Sequence, residues 1–148
     1  MKKVTIYTDG SCINNPGKGG YAALLIYESS KVIEKVIYGN QKDTTNNRME
    51  LMAAIEGLKA LKVACQVTLI SDSRYLINGM SIWIYNWQKN NFTNAKKKPI
   101  PNQDLWLELL KLNQIHQIKW QWVKAHNGDE NNERVDLIAR QQAISGNT

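Results

Sequence analysis

The chain has 148 residues, of which 43% are hydrophobic and 22% charged, and its formal net charge is +6. This length and composition predict one soluble globular domain, and no run approaches the ~18 apolar residues that a membrane span needs. The positive charge indicates a polyanionic partner. Cys12 and Cys65 are isolated, without Cys-x-x-Cys spacing, which argues against a zinc site or a disulfide framework and favours a reducing, cytoplasmic location.

The first predicted element is a strand over residues 4–9, in which β-branched residues dominate and alternate between two faces. It ends on Asp9, and Gly10 and Ser11 turn the chain away. An open α/β sheet usually places its site at the carboxyl end of a central strand. By itself, however, Asp before Gly is more often ordinary turn chemistry.

Two further strands are predicted to form an antiparallel meander with the first. Residues 14–20 form a turn-rich loop, and the continuous apolar run over residues 21–27 is typical of a strand buried on both faces. A third strand covers residues 32–38, and Gly39 is expected to end it.

A helix is predicted from Arg48 to about Val63, after several candidate capping side chains in residues 44–47. Glu50 is expected in its first turn, where the helix dipole favours a negative charge. Residues 66–71 form a fourth strand that ends at Asp72. Because a helix connects them, the fourth strand should run parallel to the first.

The next part of the chain predicts a short helix over residues 74–80, which continues helically over residues 82–87. A further helix over residues 104–112 and a fifth strand over residues 117–123 follow. A polar loop carries His126, and the last helix begins near Asn132 and carries Asp136. The order β-β-β-α-β-α-α-β-α indicates the α/β class, with a five-stranded mixed sheet and helices on its faces.

Four acids are predicted to converge on one edge of this sheet: Asp9, Glu50, Asp72 and Asp136. Two unit charges ~4 Å apart repel by about 4 kcal/mol at an effective dielectric near 20. The acids must therefore share protons or bind a hard cation. Oxygen ligands alone favour Mg²⁺ or Mn²⁺ over zinc, and on a basic protein such a pocket is typical of metal-assisted phosphodiester chemistry.

Five segments together resemble the type I ribonuclease H family in order and spacing: TDGS at 8–11, NNRMEL at 46–51, SDS at 71–73, WVKAHNG at 122–128 and ERVD at 133–136. The resemblance spans residues 5–143 and implies a ribonuclease H-like fold with helices on both faces. It implies endonucleolytic cleavage of the RNA strand of RNA–DNA hybrids, leaving 5′-phosphate and 3′-hydroxyl ends.

The resemblance also implies roles for the acids and for the loop histidine. Asp9, Glu50, Asp72 and Asp136 would hold two Mg²⁺ ions, for which Mn²⁺ can substitute, with Asp9 shared between the ions. His126 would assist proton transfer or product departure. Without the resemblance, a polar residue in such a loop is usually just solvated.

Substrate contacts are implied as well. Asn15, Asn46, Asn47 and the backbone at Cys12 would meet the minor groove, where neutral donors and acceptors can read 2′-hydroxyls. Alternatively, the Asn pair merely caps a helix. Thr45 and Asn102 would help to hold a phosphate of the DNA strand.

A basic protrusion, residues 83–98, resembles the part of the family that grips the DNA strand. Its candidate contacts are Trp83, Trp87, Lys89, Lys96, Lys97 and Lys98, although the two Trp side chains could simply support a helix. Residues 88–92 are lightly charged for the family, and Arg74 stands where a neutral amide is common. We expect residues 1–148 to be a single ribonuclease H catalytic domain without an additional hybrid-binding domain, acting as a cytoplasmic monomer.

Two alternatives remain at this point. A non-cleaving nucleic-acid-binding protein on the same fold would lack or neutralise one of the acids, and none is missing. A related nuclease acting on structured DNA, or an integrase-like enzyme, would not need the Trp- and Lys-bearing protrusion or the Asn pair before Glu50.

Overall fold

A computed structural model of the chain describes residues 1–145, so the end of the predicted domain, residues 146–148, lies outside the described residues. The strands are β1 (Lys2–Cys12), β2 (Gly17–Tyr27), β3 (Ile33–Thr44), β4 (Cys65–Ser71) and β5 (Gln117–Trp122). The helices are α1 (Asn46–Lys59), α2 (Arg74–Asn78), α3 (Ile84–Lys89), α4 (Gln103–Ile115) and α5 (Glu130–Ser145), with a π-helical segment, Gly79–Trp83, between α2 and α3. The order matches the prediction, except that the helical stretch predicted over residues 74–87 is divided into α2, the π-helical segment and α3.

The five strands form one mixed sheet in the order β3-β2-β1-β4-β5. β1, β2 and β3 pair antiparallel, as the predicted meander requires, whereas β4 runs parallel to both β1 and β5. Thr8 lies opposite Ser71 in the register of β1 and β4. The residues that follow, Asp9 within β1 and Asp72 just after β4, therefore lie side by side.

Helices cover both faces of the sheet, because the central strands are apolar on both sides. On one face, α1 and α4 pack on the sheet through a large buried cluster that includes Ile6, Leu25, Leu58 and Trp106. On the other face, α5 packs on β2 through a smaller cluster of Ala22, Leu24, Val135 and Ala139. None of the helices described in residues 1–145 has the length and apolarity that crossing a membrane requires.

The second and third strands are longer than predicted. Residues 17–20, expected in a loop, already belong to β2, and β3 continues past Gly39 to Thr44. Gly39 pairs with Tyr21 across the strands, and a Cβ at Gly39 would overlap the Tyr21 ring. The glycine therefore makes room for an aromatic side chain, and the prediction that it ends the strand is wrong.

Two helix starts also differ from the prediction. α1 begins at Asn46 because Thr45 caps it, its hydroxyl accepting from the Arg48 N–H at 3.2 Å. Glu50 thus lies beyond the first turn, and the predicted dipole stabilisation of its charge is wrong. α5 begins at Glu130, where the Asp129 carboxylate accepts from the Asn132 N–H at 3.0 Å.

Candidate active site

Three of the four predicted acids meet at the carboxyl ends of the two central parallel strands. Asp9 lies near the end of β1, Asp72 directly follows β4, and Glu50 projects from α1. One carboxylate oxygen from each lies within 4.8 Å of the other two. Asp9 and Glu50 are only 3% and 6% exposed. The sheet thus brings together side chains that are 41 and 22 positions apart along the chain (50 − 9 and 72 − 50).

Gly10 allows this approach of α1 to β1. A Cβ at that position would overlap the backbone of Met49 and Glu50. Because glycine has no side chain there, the helix lies directly against the strand, and Glu50 reaches Asp9. The Gly after Asp9, interpreted from the sequence as a turn residue, in fact lies within β1.

Burial and mutual repulsion oppose ionisation of these acids. Burial, and then the charges of Glu50 and Asp72, raises the pKa of Asp9 to about 11. Burial followed by the charge of Asp72 raises the pKa of Glu50 well above its usual range. The Oε1 atom of Glu50 is buried and has no hydrogen-bond partner. A close group of oxygens with one unpartnered is a set that a hard divalent cation fits.

Asp136 lies beside this group but has a second partner. Its charge contributes to the raised pKa of Asp9, which places it next to the cluster. Its Oδ2 atom also lies 2.9 Å from the Arg140 guanidinium one helical turn later. Within residues 1–145, the group of acids whose ligand oxygens all lie within 4.8 Å contains Asp9, Glu50 and Asp72 but not Asp136.

His126 and Asn132 lie near the cluster on the side of Asp72, whose pKa both affect. Burial raises the pKa of Asp72, while the Asn132 side chain and the nearby His126 imidazole act to lower it. His126 is exposed in the loop before α5 and has a positive φ of 55°. Asn132 is 2% exposed and was not singled out from the sequence. Its position four residues before Asp136, on the same helical face, is the signal that could have identified it.

The residues predicted to meet the minor groove surround the start of α1. The Asn15 side-chain oxygen accepts from the Asn46 N–H at 2.9 Å, so the loop before β2 is tied to the helix. Asn46 is half-buried and Asn47 exposed. The Cys12 thiol, half-buried at the end of β1, donates to the Thr44 carbonyl at 3.5 Å. Since Thr45 caps α1, the side chains of Asn46 and Asn47 are not needed as caps.

Thr45 and Asn102, predicted together as a phosphate site, are joined by Arg48. The Arg48 guanidinium donates to the Asn102 oxygen at 3.2 Å and forms two hydrogen bonds with Asp104, at 3.0 and 2.8 Å. Asn102 in turn donates to the Tyr75 hydroxyl at 2.9 Å. No local pattern in the sequence singles out Arg48, because its partners, Asn102 just before α4 and Asp104 within it, lie 54 and 56 residues away.

The basic protrusion, residues 83–98, divides into packed aromatic rings and exposed lysines. Trp87 packs between Trp106 and Phe92, with ring centroids 4.8 and 6.1 Å away, whereas Trp83 is 37% exposed. The four predicted lysines are all exposed: Lys89, Lys96, Lys97 and Lys98. A cavity of about 530 Å³ is lined by Lys89 and Lys97 among other polar residues. Trp87 thus supports the protrusion, and the lysines are free to meet anions.

The chain is similar to known proteins over nearly its whole length. The RNase H family model matches residues 1–144. Ribonuclease H of Hydrogenovibrio crunogenus is 53% identical over 141 residues, covering 95% of each protein. The crystal structure of LC9-RNase H1, a type 1 RNase H, is similar with a TM-score of 0.90 and 29% identity, covering 100% of this chain and 74% of that one. LC11-RNase H1 in complex with RNA/DNA hybrid shares the fold at 20% identity and a TM-score of 0.72, covering 97% of this chain and 98% of that one.

Proposed function

The chain belongs to the ribonuclease H family, and from this membership we propose that it hydrolyses the RNA strand of RNA–DNA hybrids at its acidic cluster. The observation that carries the assignment to this site is the group of Asp9, Glu50 and Asp72, with ligand oxygens within 4.8 Å of one another. The products are a 5′-phosphate and a 3′-hydroxyl. Cleavage is endonucleolytic, as membership of the family implies.

The chemistry of the acids suits divalent metal ions, and we assign them Mg²⁺, with Mn²⁺ as a substitute. Asp9, Glu50, Asp72 and Asp136 would hold two ions, with Asp9 in the central position. Bound divalent ions supply a more acidic attacking water and charge stabilisation for the leaving 3′ oxygen. The unpartnered Glu50 oxygen and the raised pKa of Asp9 both support this, because cations relieve the repulsion that burial intensifies.

The protein side chains position this chemistry. Gly10 brings α1 against β1 so that Glu50 and Asp9 share one site. Asn132 lies close enough to the Asp72 carboxylate to favour its ionised form by hydrogen bonding. His126, exposed beside Asp72, can accept a proton or assist the departure of product without being a metal ligand.

Recognition of a hybrid requires groups for both strands. Asn15, Asn46 and Asn47 supply neutral amides beside the acids, where the 2′-hydroxyls of the RNA strand lie in a wide, shallow minor groove. Thr45 and Asn102, joined through Arg48, offer hydrogen-bonding groups for a phosphate of the DNA strand.

The basic protrusion, residues 83–98, extends this contact along the DNA strand. Its exposed lysines meet phosphates, and Trp83 packs on a sugar. All of these groups come from one chain, so we propose that the protein acts as a monomer. With two cysteines that are both free, it fits the reducing cytoplasm.

One assay tests the function against its alternatives. End-labelled RNA–DNA hybrid, RNA duplex and DNA duplex of the same sequence are incubated with the protein in Mg²⁺, beside an Asp72→Asn control. We expect cleavage of the RNA strand in the hybrid alone, and none by Asp72→Asn. Binding without cleavage would indicate a binding protein, and cleavage of the DNA duplex would indicate a nuclease of another specificity. Repeating the assay with Mn²⁺ tests the metal assignment.

A further inference from the structure

A stacked pair, Arg74 and Trp122, lies directly beside the acidic cluster. The Arg74 guanidinium carbon lies 4.3 Å from the centre of the Trp122 ring, close enough for a cation–π interaction. The indole N–H of Trp122 donates to the main-chain carbonyl of Asp72 at 3.1 Å. The ring that holds the cation is therefore anchored to the backbone of an acid in the cluster.

This guanidinium is available to a ligand. Arg74 is exposed, and it forms no ion pair with any carboxylate of residues 1–145. The other arginines in this part of the chain are occupied: Arg48 binds Asp104, Arg134 binds Glu34, and Arg140 binds Asp136. Arg74 is thus an exposed cation that is held in place by a ring and not by a negative charge.

The position of Trp122 is fixed by the sheet. It pairs with Ser71 across β4 and β5, and the next residue, Val123, donates its N–H to the Ser71 carbonyl at 3.0 Å. Trp122 is 37% exposed, so one side of its ring remains accessible at the surface. A rigid aromatic platform restricts the many rotamers of an arginine side chain, which lowers the entropy that a ligand contact would cost.

We propose that Arg74 binds a phosphate of the RNA strand adjacent to the cleaved bond, and that Trp122 is the residue that positions it. The inference rests on the proposed function, since the cleaved phosphate must lie on Asp9, Glu50 and Asp72. A neighbouring phosphate of the same strand then lies alongside the cluster, where Arg74 starts two residues after Asp72. Arginine suits this role because its planar guanidinium can donate two parallel hydrogen bonds to phosphate oxygens.

The test compares binding of hybrid by Asp9→Asn, which retains the fold without cleaving, with binding by the same protein carrying Arg74→Gln. Affinities are measured in Mg²⁺ over a series of salt concentrations. Loss of one phosphate contact should reduce the slope of log affinity against log salt by about one. Affinity at low salt should fall roughly tenfold, as for one charged hydrogen bond. Lys62→Gln, an exposed residue at the opposite end of β4, controls for the change in net charge and should leave both values unchanged.

Neutral methylphosphonate linkages identify the phosphate that Arg74 binds. Each linkage near the cleavage position is neutralised in turn, first on the RNA strand and then on the DNA strand. We expect one RNA-strand position to weaken binding when Arg74 is present and to have no effect in Arg74→Gln. Coupling to a DNA-strand position, or to none, would overturn the proposal.

Trp122 is tested by two substitutions. Trp122→Leu should give the same salt slope as Arg74→Gln, and combining the two substitutions should reduce the slope no further. Trp122→Phe keeps a ring and should retain most of the slope measured with Trp122 and Arg74 both present. If Trp122 only supports the fold, both variants will lose thermal stability without a change of slope, and the positioning role is refuted. Cleavage of hybrid by the unaltered protein is measured in parallel, because its absence would refute the proposed function whatever Arg74 does.

Discussion

Asp9→Asn is expected to stabilise the protein when metal ions are removed. Asp9 is 3% exposed, and burial together with Glu50 and Asp72 raises its pKa to about 11. At neutral pH the folded protein therefore carries a proton on this group, whereas the unfolded chain, with an ordinary Asp pKa near ~3.9, does not. Folding must take up a proton from neutral solution, which costs free energy that an asparagine avoids.

The cost at pH 7 follows from the difference between solution pH and the unfolded pKa. Binding a proton about three pH units above an ordinary Asp pKa costs about 4 kcal/mol at ~1.36 kcal/mol per unit. Leaving Asp9 ionised is no better: Glu50 and Asp72 have oxygens within 4.8 Å, and each such pair of charges repels by about 3.5 kcal/mol at a dielectric near 20. Asp9→Asn should gain up to about 4 kcal/mol, which is about 8–16 °C at ~2–4 °C per kcal/mol.

Thermal unfolding followed by circular dichroism in chelator measures this gain. Because the folded pKa of Asp9 is raised, the wild-type protein loses stability relative to Asp9→Asn as the pH rises above ~3.9. The difference should be large at pH 7 and almost absent near pH 4. Glu108→Gln removes an exposed acid on α4 and should show no such dependence.

Metal ions should reduce the advantage. Mg²⁺ at 100 times its dissociation constant would stabilise wild type by about 2.7 kcal/mol and the variant by less. If Asp9→Asn melts at or below wild type in chelator at pH 7, or if its advantage does not shrink at acid pH, the repulsive cluster inferred from the structure is wrong.

Three further outcomes are expected. His126→Ala should lower kcat for hybrid cleavage by roughly 10²-fold with little change in KM, because we propose that the side chain assists proton transfer without holding metal; an unchanged kcat in steady-state assays would contradict this. Changing Lys96, Lys97 and Lys98 to Gln should reduce the salt slope of hybrid binding by about three, at ~0.9 per lost phosphate contact, and an unaltered slope would place the substrate elsewhere. Burial lowers the pKa of His116, so stability should fall as the pH drops below ~6.5, where the unfolded chain binds the proton first; denaturant melts of His116→Asn should lack this part of the pH dependence.

The sequence predicted the convergence of three of the acids, Asp9, Glu50 and Asp72, because each lies beside a strong local pattern. Asp9 and Asp72 end apolar strands, and parallel pairing of those strands was sufficient to bring the two together. To place Glu50 beside them, it is enough that the helix between the two strands lies on the sheet. The small residues of that helix favour this packing. The antiparallel meander, the parallel pairing of β1 with β4 and the convergence of these acids thus follow from period, turn chemistry and the handedness of crossovers.

The errors and omissions have a common cause, since each depends on a contact between distant residues. A glycine that follows a predicted strand suggests that the strand ends there. Gly39 instead accommodates the ring of Tyr21, a contact that no local pattern reveals. Arg48 was not selected because Asn102 and Asp104 lie at the start of α4, Asn102 as the residue before it, more than 50 residues later. The stack of Arg74 on Trp122 likewise required the observed register of β4 and β5.

The acidic cluster and the hydrophobic core are energetically connected. Acids held at the ends of rigid strands cannot move apart when metal ions are absent, so the free energy of their burial must be offset by the apolar clusters on both faces of the sheet. The same rigidity favours metal binding, because the ligands need little reorganisation and binding removes their repulsion. A substitution that weakens the core around Ile6 or Leu58 should therefore be more harmful in chelator than in Mg²⁺. The stability of this protein in chelator and its affinity for metal ions therefore both depend on the same interaction, the repulsion that Asp9 experiences from its neighbours.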